Sequence, residues 1–364
     1  MKKIVMGLAA LAMAASIFAV DFSSTVKMST TIANKNGDAV EFFKVNNKDQ
    51  KDGDALIISG ASDNAGGQFQ LWYRFDGTDG TSGGAPVVPT ANAAIHVRNA
   101  NIWFKPIDQL KITVGNVAID SYKEQIFWWH GVYGAAPGSW GAFGGEYQGT
   151  QAGVKAEFRA DALTFEAALF QGIDTALFST AEGYGYKGYA VKAKYAFESG
   201  SAAVVFSDKG KDQDKVIAVG ADFSGISGLY FFANFNARLN NGLQGISLDN
   251  YFKYSADALT IQGHLPFVMF KDGDKMVPGL YATLKVIYAL DGCSPYFLAT
   301  TEPDGDKGWR FDNFEFDMTF KPGVTFNVGS AGFDAAFRLD VDTNKAANKT
   351  DVNWSVPVEI SIGL

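Results

Sequence analysis

Only one cysteine, Cys293, occurs in 364 residues, which excludes an intrachain disulfide framework. Histidine is nearly as scarce. His96, His130 and His264 are widely spaced, and none has a serine or an acid at a recognisable catalytic spacing. No histidine lies near Cys293 in sequence, so a Cys–His nucleophile is unsupported. Phosphate-binding loops and clusters of metal ligands are missing too, so no cofactor and no metal is expected and an enzyme is a poor reading. Positive charge is in deficit: 31 Lys and Arg face 39 Asp and Glu, a net charge of −8, which argues against a nucleic-acid partner. Finally, no apolar run after Ala19 approaches the roughly 18 residues that a spanning helix needs. A membrane-spanning reading must therefore use strands, and only a closed barrel of strands satisfies every backbone group in lipid.

What is present is alternation. In Gln151 to Gln171, Val154, Ala156 and Phe158 alternate with Lys155, Glu157 and Arg159, and Leu163, Phe165, Ala167 and Leu169 alternate with Thr164, Glu166, Ala168 and Phe170. Side chains along a strand point to opposite faces, so this is an amphipathic hairpin turning at Ala160–Ala162. Its strands have the length that crosses a bilayer when tilted. The same pattern recurs at 229–236, 314–321 and 333–340. Eighteen strands are expected, at 22–33, 54–60, 67–76, 93–105, 110–119, 150–159, 163–171, 186–197, 201–208, 215–223, 228–238, 246–256, 258–270, 279–290, 293–301, 311–328, 332–341 and 351–363. The second is the weakest, which leaves a range of sixteen to eighteen.

The connections are sorted by length. Short ones at Pro106–Gln109, Ala160–Ala162, Glu198–Gly200, Ser224–Ser227, Asp257, Asp291–Gly292 and Gly329–Ala331 alternate with longer ones at 34–53, 77–92, 120–149, 172–185, 209–214, 239–245, 271–278, 302–310 and 342–350. A soluble antiparallel sandwich has no reason to sort its loops this way. An up-and-down barrel in an outer membrane does, with short periplasmic turns and long external loops. The fold class is therefore all-β, a transmembrane antiparallel barrel. Residues 1–19 read as a secretory signal peptide: Lys2 and Lys3, an apolar run from Ile4 to Ala15, and a small-residue exit with cleavage after Ala19. Residues 20–364 then form a single barrel domain, seated among outer-membrane lipids.

The last strand, 352–364, places Val352, Trp354, Val356, Val358, Ile360, Ile362 and Leu364 on one face. It resembles the C-terminal strand of bacterial outer-membrane β-barrel proteins, which the barrel-assembly machinery reads; that family usually ends in Phe, where this chain has Leu364. Together with the leader and the loop order, the chain resembles the general porins. The resemblance implies a water-filled channel for passive diffusion of small hydrophilic solutes and ions, and it admits a homotrimer. In porins the third external loop folds inward and often carries Pro-Glu-Phe-Gly-Gly-Asp. Here the longest connection, 120–149, carries Phe143-Gly144-Gly145-Glu146, without the preceding Pro-Glu and with Glu for Asp.

The resemblance makes Asp120, Glu124 and Glu146 candidates for an acidic constriction. Facing them would be basic wall residues drawn from Lys27, Arg74, Arg98, Lys155, Arg159 and Arg338. Such faces would set a transverse field; scattered wall charges are the alternative. Trp128, Trp129, Tyr133 and Trp140 either stack on sugar rings, as in a maltoporin-like channel, or pack the loop against the wall. A surface adhesin is the competing function. Folded protein in detergent is expected to show β-type circular dichroism and a heat-dependent shift on a mildly denaturing gel. A water-soluble monomer without detergent would refute the barrel.

Overall fold

The computed structural model describes residues 19–35, 41–45, 55–74, 94–117, 119, 152–171, 186–208, 215–265, 267–272, 274–280, 282–302, 317–344 and 349–363. Its first strands are β1 (Ala19–Asn34), β2 (Glu41–Val45), β3 (Ala55–Ala61), β4 (Ala65–Arg74), β5 (Ala94–Ile107) and β6 (Leu110–Asn116). Next come β7 (Ala152–Ala160), β8 (Leu163–Gln171), β9 (Tyr186–Phe197), β10 (Gly200–Asp208), β11 (Lys215–Ile226), β12 (Leu229–Leu239) and β13 (Leu243–Ala256). The remainder are β14 (Leu259–His264), β15 (Phe267–Asp272), β16 (Lys275–Leu280), β17 (Thr283–Tyr288), β18 (Cys293–Glu302), β19 (Asp317–Val328), β20 (Ala331–Ala336), β21 (Arg338–Asn344) and β22 (Lys349–Gly363).

All twenty-two segments join one sheet. Four pairs of segments are halves of a single crossing. Both β2 and β3 lie against β1, both β14 and β15 against β13, and both β20 and β21 against β22. In the same way β17 and β16 lie against β14 and β15. The segments therefore make eighteen crossings, each antiparallel to its neighbours. The first and last also pair, Val26 opposite Ile362 and Met28 opposite Ile360, which closes the ring.

Proline explains one of the split crossings. β20 and β21 are separated at Phe337, which faces Pro322 on one neighbouring strand, while the register on the other side sets Pro357 opposite the adjacent Ala336. Neither proline has an N–H to give to a ladder. Phe337 N–H still donates to the Pro322 carbonyl at 2.9 Å, and the β1–β22 register also shifts beside Pro357, between Thr31 and Asn34. At the β14–β15 and β16–β17 breaks, side chains stand in for the ladder. Asn250 Nδ2 donates to the Leu265 carbonyl at 2.6 Å, and Thr301 Oγ1 both accepts from Ala282 N–H at 2.7 Å and donates to its carbonyl at 2.9 Å.

One rim carries the connections 62–64, 108–109, 161–162, 198–199, 227–228, 257–258, 289–292 and 329–330. Two of these turns place aspartate at positive φ, Asp161 at 50° and Asp257 at 49°, a conformation its short polar side chain tolerates. The opposite rim carries most of the longer segments, with corrections to the expected loops. The expected loop 34–53 contains β2, so the second crossing is longer than 54–60. The expected loop 271–278 is mostly strand: Asp272 pairs with Lys275, leaving only 273 and 274 as the connection. The expected loop 239–245 shrinks to 240–242. In the last two cases a strand keeps its ladder after its side chains turn polar, because pairing satisfies the backbone whether or not one face is buried; in the first, the apolar residues Phe42, Phe43 and Val45 lie within the segment read as a loop.

Polarity is inverted relative to a soluble sandwich. Val204, Val219, Phe231, Phe235, Leu248 and Phe297 are exposed on the outer face, while their sequence neighbours Val205, Ala218, Phe232, Asn236, Ser247 and Leu298 are buried on the inner face. The terminal strand follows this pattern. Trp354 pairs with Leu339 and stacks on Phe337 at 6.1 Å, and Ile360 and Ile362 pair with Phe333 and Ala331. Replacing Ile360 and Ile362 with Asp puts two charges on that apolar face, at a depth-dependent cost on the order of 1–2 kcal/mol each. The double variant is expected to lose its heat-dependent gel shift and to be degraded before reaching the membrane. Normal folded yield would count against the face assignment.

Candidate functional site

The site begins where β6 ends. Along β6 the side chains alternate, with Thr113 buried inward and Val114 exposed outward. At Gly115 the alternation stops. Its φ is 116°, and a Cβ there would stand 2.3 Å from the Ala100 carbonyl oxygen, so the position admits only glycine without a shift. The next residues, Asn116 and Val117, are both buried, as is Ile119. The chain has left the sheet and turned inside the ring.

Val117 crosses the inner face of β7 at Gly153, where an added Cβ would lie 2.9 Å from a Val117 methyl. Ile119 is 1% exposed. With Val117 it belongs to one apolar cluster that takes in Ala168 and Phe170 of β8, Ala190 of β9, Val205 of β10 and Ala218 of β11. All five wall residues sit at inward positions of consecutive strands. All are apolar and uncharged, so two apolar side chains from the crossing segment can be buried there without stranding a charge.

Charge is distributed unevenly around the remaining wall. On the inner positions of β5–β9 stand Lys105, Lys111, Lys155, Arg159, Lys192 and Lys194 against Glu157 and Glu166. Glu166 is held between Lys155 at 3.5 Å and Lys192 at 4.0 Å, and Arg159 Nε meets Glu157 at 2.6 Å. The Lys111 ammonium lies 4.7 Å and the Lys105 ammonium 5.7 Å from the centre of the Trp103 ring, close enough for cation–π attraction.

On β19–β22 the balance reverses. Asp334, Asp340, Asp342, Asp351 and Glu359 outnumber Lys321 and Arg338. Arg338 Nε donates to both Asp340 oxygens at 2.8 and 2.9 Å, and Thr319 Oγ1 donates to Asp340 at 2.5 Å. Asp334 accepts from Lys321 at 3.2 Å and from the Tyr296 hydroxyl at 2.7 Å. Tyr296 lies against Gly323, and Lys285 stands 4.9 Å from its ring centre. Two arcs of opposite excess charge thus face a common interior.

The expected site residues fare unequally. Lys155, Arg159 and Arg338 are on the inner wall, and each is engaged by a carboxylate. Lys27 pairs with Ser361 and Arg74 with Ala94. Arg98 is the extra residue of a bulge, since its neighbours Val97 and Asn99 oppose the consecutive Leu71 and Gln70. Asp120, Glu124, Glu146, Trp128, Trp129, Tyr133, Trp140 and Leu364 lie outside the described residues. Glu166, Lys321, Asp334 and Asp340 fall on the polar faces that the alternation picks out, but the sequence did not single them out as site residues; it missed Lys192, which strand parity alone could have found. It also missed that His264 has an acid partner. Asp249, fifteen residues away, brings its Oδ1 to 2.6 Å from Nε2 across β13 and β14.

Several solved structures share this arrangement. A BenF-like porin from Pseudomonas fluorescens Pf-5 matches with a TM-score of 0.54 at 12% identity, covering 95% of this chain and 99% of that one. OccK1 (OpdK) of Pseudomonas aeruginosa matches at 0.54 with 10% identity, covering 95% and 98%. OccD1 (OprD) matches at 0.56 with 9% identity, covering 95% of each chain. The chain has the fold of an outer-membrane porin. No family model matches it, and neither does any curated protein sequence.

Within this porin fold, the contact of Ile119 with the wall is open to test. Ile119→Asp would bury an uncompensated charge among Val205 and Ala218, at roughly 3–5 kcal/mol. Amide hydrogen exchange at Val117 and Ile119 is expected to rise sharply while the heat-dependent gel shift of the barrel persists. Unchanged exchange at both amides would mean that the apolar cluster does not hold the segment.

Proposed function

We propose that the chain forms a water-filled channel in a bacterial outer membrane, through which small hydrophilic solutes and ions diffuse passively. The observation that carries this reading is the inversion of polarity around a closed ring of eighteen crossings. The apolar belt faces outward, and the inner wall bears hydroxyls, amides and paired charges. Eight strands close on a packed interior, whereas sixteen or more leave an aqueous lumen. The likeness to porins across nearly the full length of both chains supports the same reading over an enzyme.

The segment beginning at Val117 acts as the constriction in this proposal. Its first described residues run along the inner wall, and the acidic residues Asp120, Glu124 and Glu146 follow directly in sequence. Residues 1–19 serve as the cleaved export signal, and the terminal strand ending at Leu364 serves the assembly machinery. In a planar bilayer, purified folded protein is expected to give discrete conductance steps. Insertion of verified folded barrels without current would overturn the channel reading and favour a surface-binding role.

A further inference from the structure

The inner wall is not equally open around the ring. Asn234 and Asn236 on β12 are 2% and 1% exposed, and Ser247 on β13 and Ser207 on β10 are buried as completely. These amides and hydroxyls face inward yet do not meet bulk water. Asn236 Nδ2 donates to Ser247 Oγ at 3.1 Å and Asn234 Nδ2 to Asn236 Oδ1 at 3.0 Å, so these three side chains are tied to one another, while Ser207 Oγ is buried without a hydrogen-bond partner among the described residues. On β19–β22 small inward residues are buried too, Thr319 at 5% and Ala336 at 6%, but the charged side chains beside them are not. Asp334 and Asp340 keep 29% and 24% of their side chains exposed, and Arg338 keeps 40%. The boundary falls along β13, where Asp249 keeps 22%, two residues from buried Ser247.

The closed strip continues the wall that Val117 and Ile119 cover. Val205 and Ala218 belong to that cluster, and Ala218 pairs with Asn236, which pairs with Ser247. The open arc is the one that carries Lys321, Asp334, Arg338 and Asp340.

We propose that the permeation path runs along the β19–β22 side of the lumen and bypasses β10–β13, so that the Lys321–Asp334 and Arg338–Asp340 pairs are specificity-determining residues. The inference rests on the channel reading above and adds its route. A hydrated ion cannot pass along a strip whose amides are already bonded to each other and shut off from water. It can pass beside half-exposed ion pairs, whose charges remain available to a solute. Removing one member of such a pair leaves the other to act on every ion that passes.

The test uses the full-length barrel with Cys293→Ser as the background. Ser207→Cys and Ser247→Cys place a thiol on the closed strip, and Asp334→Cys and Asp340→Cys place one on the open arc. Each folded variant is treated with a cationic methanethiosulfonate, and labelling is read from the mass of the intact protein. Thiol reactivity follows exposure, so the open-arc cysteines are expected to react roughly tenfold faster or more. In a bilayer, the reagent is expected to reduce current through the open-arc variants and to leave that of the serine-derived variants unchanged. Arg338→Ala is expected to shift the reversal potential towards cation selectivity, because Asp340 is left uncompensated.

Equal labelling of both sets, or an unmoved reversal potential for Arg338→Ala, would overturn the route. The mass readout does not depend on current. A background protein that conducts, with cysteine variants that label equally on both walls, refutes the route alone. Cysteine variants that label as expected in a barrel that never conducts refute the channel and leave the asymmetry of the wall standing.

Discussion

Everything in this structure depends on the pairing of β1 with β22. A strand in lipid has no water to accept its N–H and C=O groups, so a sheet with two free edges is excluded there. The pairing from Thr25–Gly363 to Asn34–Ser355 removes both edges at once. The same constraint governs the interruptions. Where Pro322 withdraws a donor opposite Phe337, the backbone of Phe337 still finds a partner. Where β14 gives way to β15 and β16 to β17, Asn250 and Thr301 respectively lend polar side chains to the main chain. Those two residues stand at outward positions otherwise held by Leu248, Phe252 and Phe297. The need to satisfy backbone groups outweighs, locally, the preference of lipid for apolar side chains.

Closure also settles what the inner face can be. Once the outer face is given to lipid, the alternating positions must be compatible with one another across a confined interior. Charged residues there come mostly in opposed sets: Lys155 and Lys192 around Glu166, Lys321 with Asp334, Arg338 with Asp340. Like charges on facing walls would raise the energy of an interior that is only partly screened by water. Pairing holds the wall charges in place and keeps them from collapsing across the lumen.

One residue breaks the symmetry of this plan. Gly115 lets the chain leave the sheet with a backbone conformation that other residues rarely adopt, and the following apolar side chains settle on inward positions of four strands. The wall under them is apolar. One charged arc, on β5–β9, overlaps its edge at β8 and β9, and the other lies on β19–β22. A ring that would otherwise be uniform therefore has a covered side and an open side, and this asymmetry underlies the proposed route.

Alternation of side chains, with its period of two, was enough to establish a barrel of about eighteen crossings, because a strand that must show one face to lipid and one to water writes that demand into every second residue. The hairpin at Ala160–Ala162, the terminal strand through Ile362 and the inward placement of Lys155, Arg159 and Arg338 follow from parity alone. Loop boundaries did not follow, because polar stretches such as Lys271–Lys275 look like loops whether or not they remain paired. Nor did the partners. Which acid meets which base depends on register between strands far apart in sequence, as Asp334 shows by joining Lys321 to Tyr296. The direction of the chain after Gly115 was a tertiary decision as well: Val117 and Ile119 are ordinary apolar residues until folding brings Val205 and Ala218 beneath them.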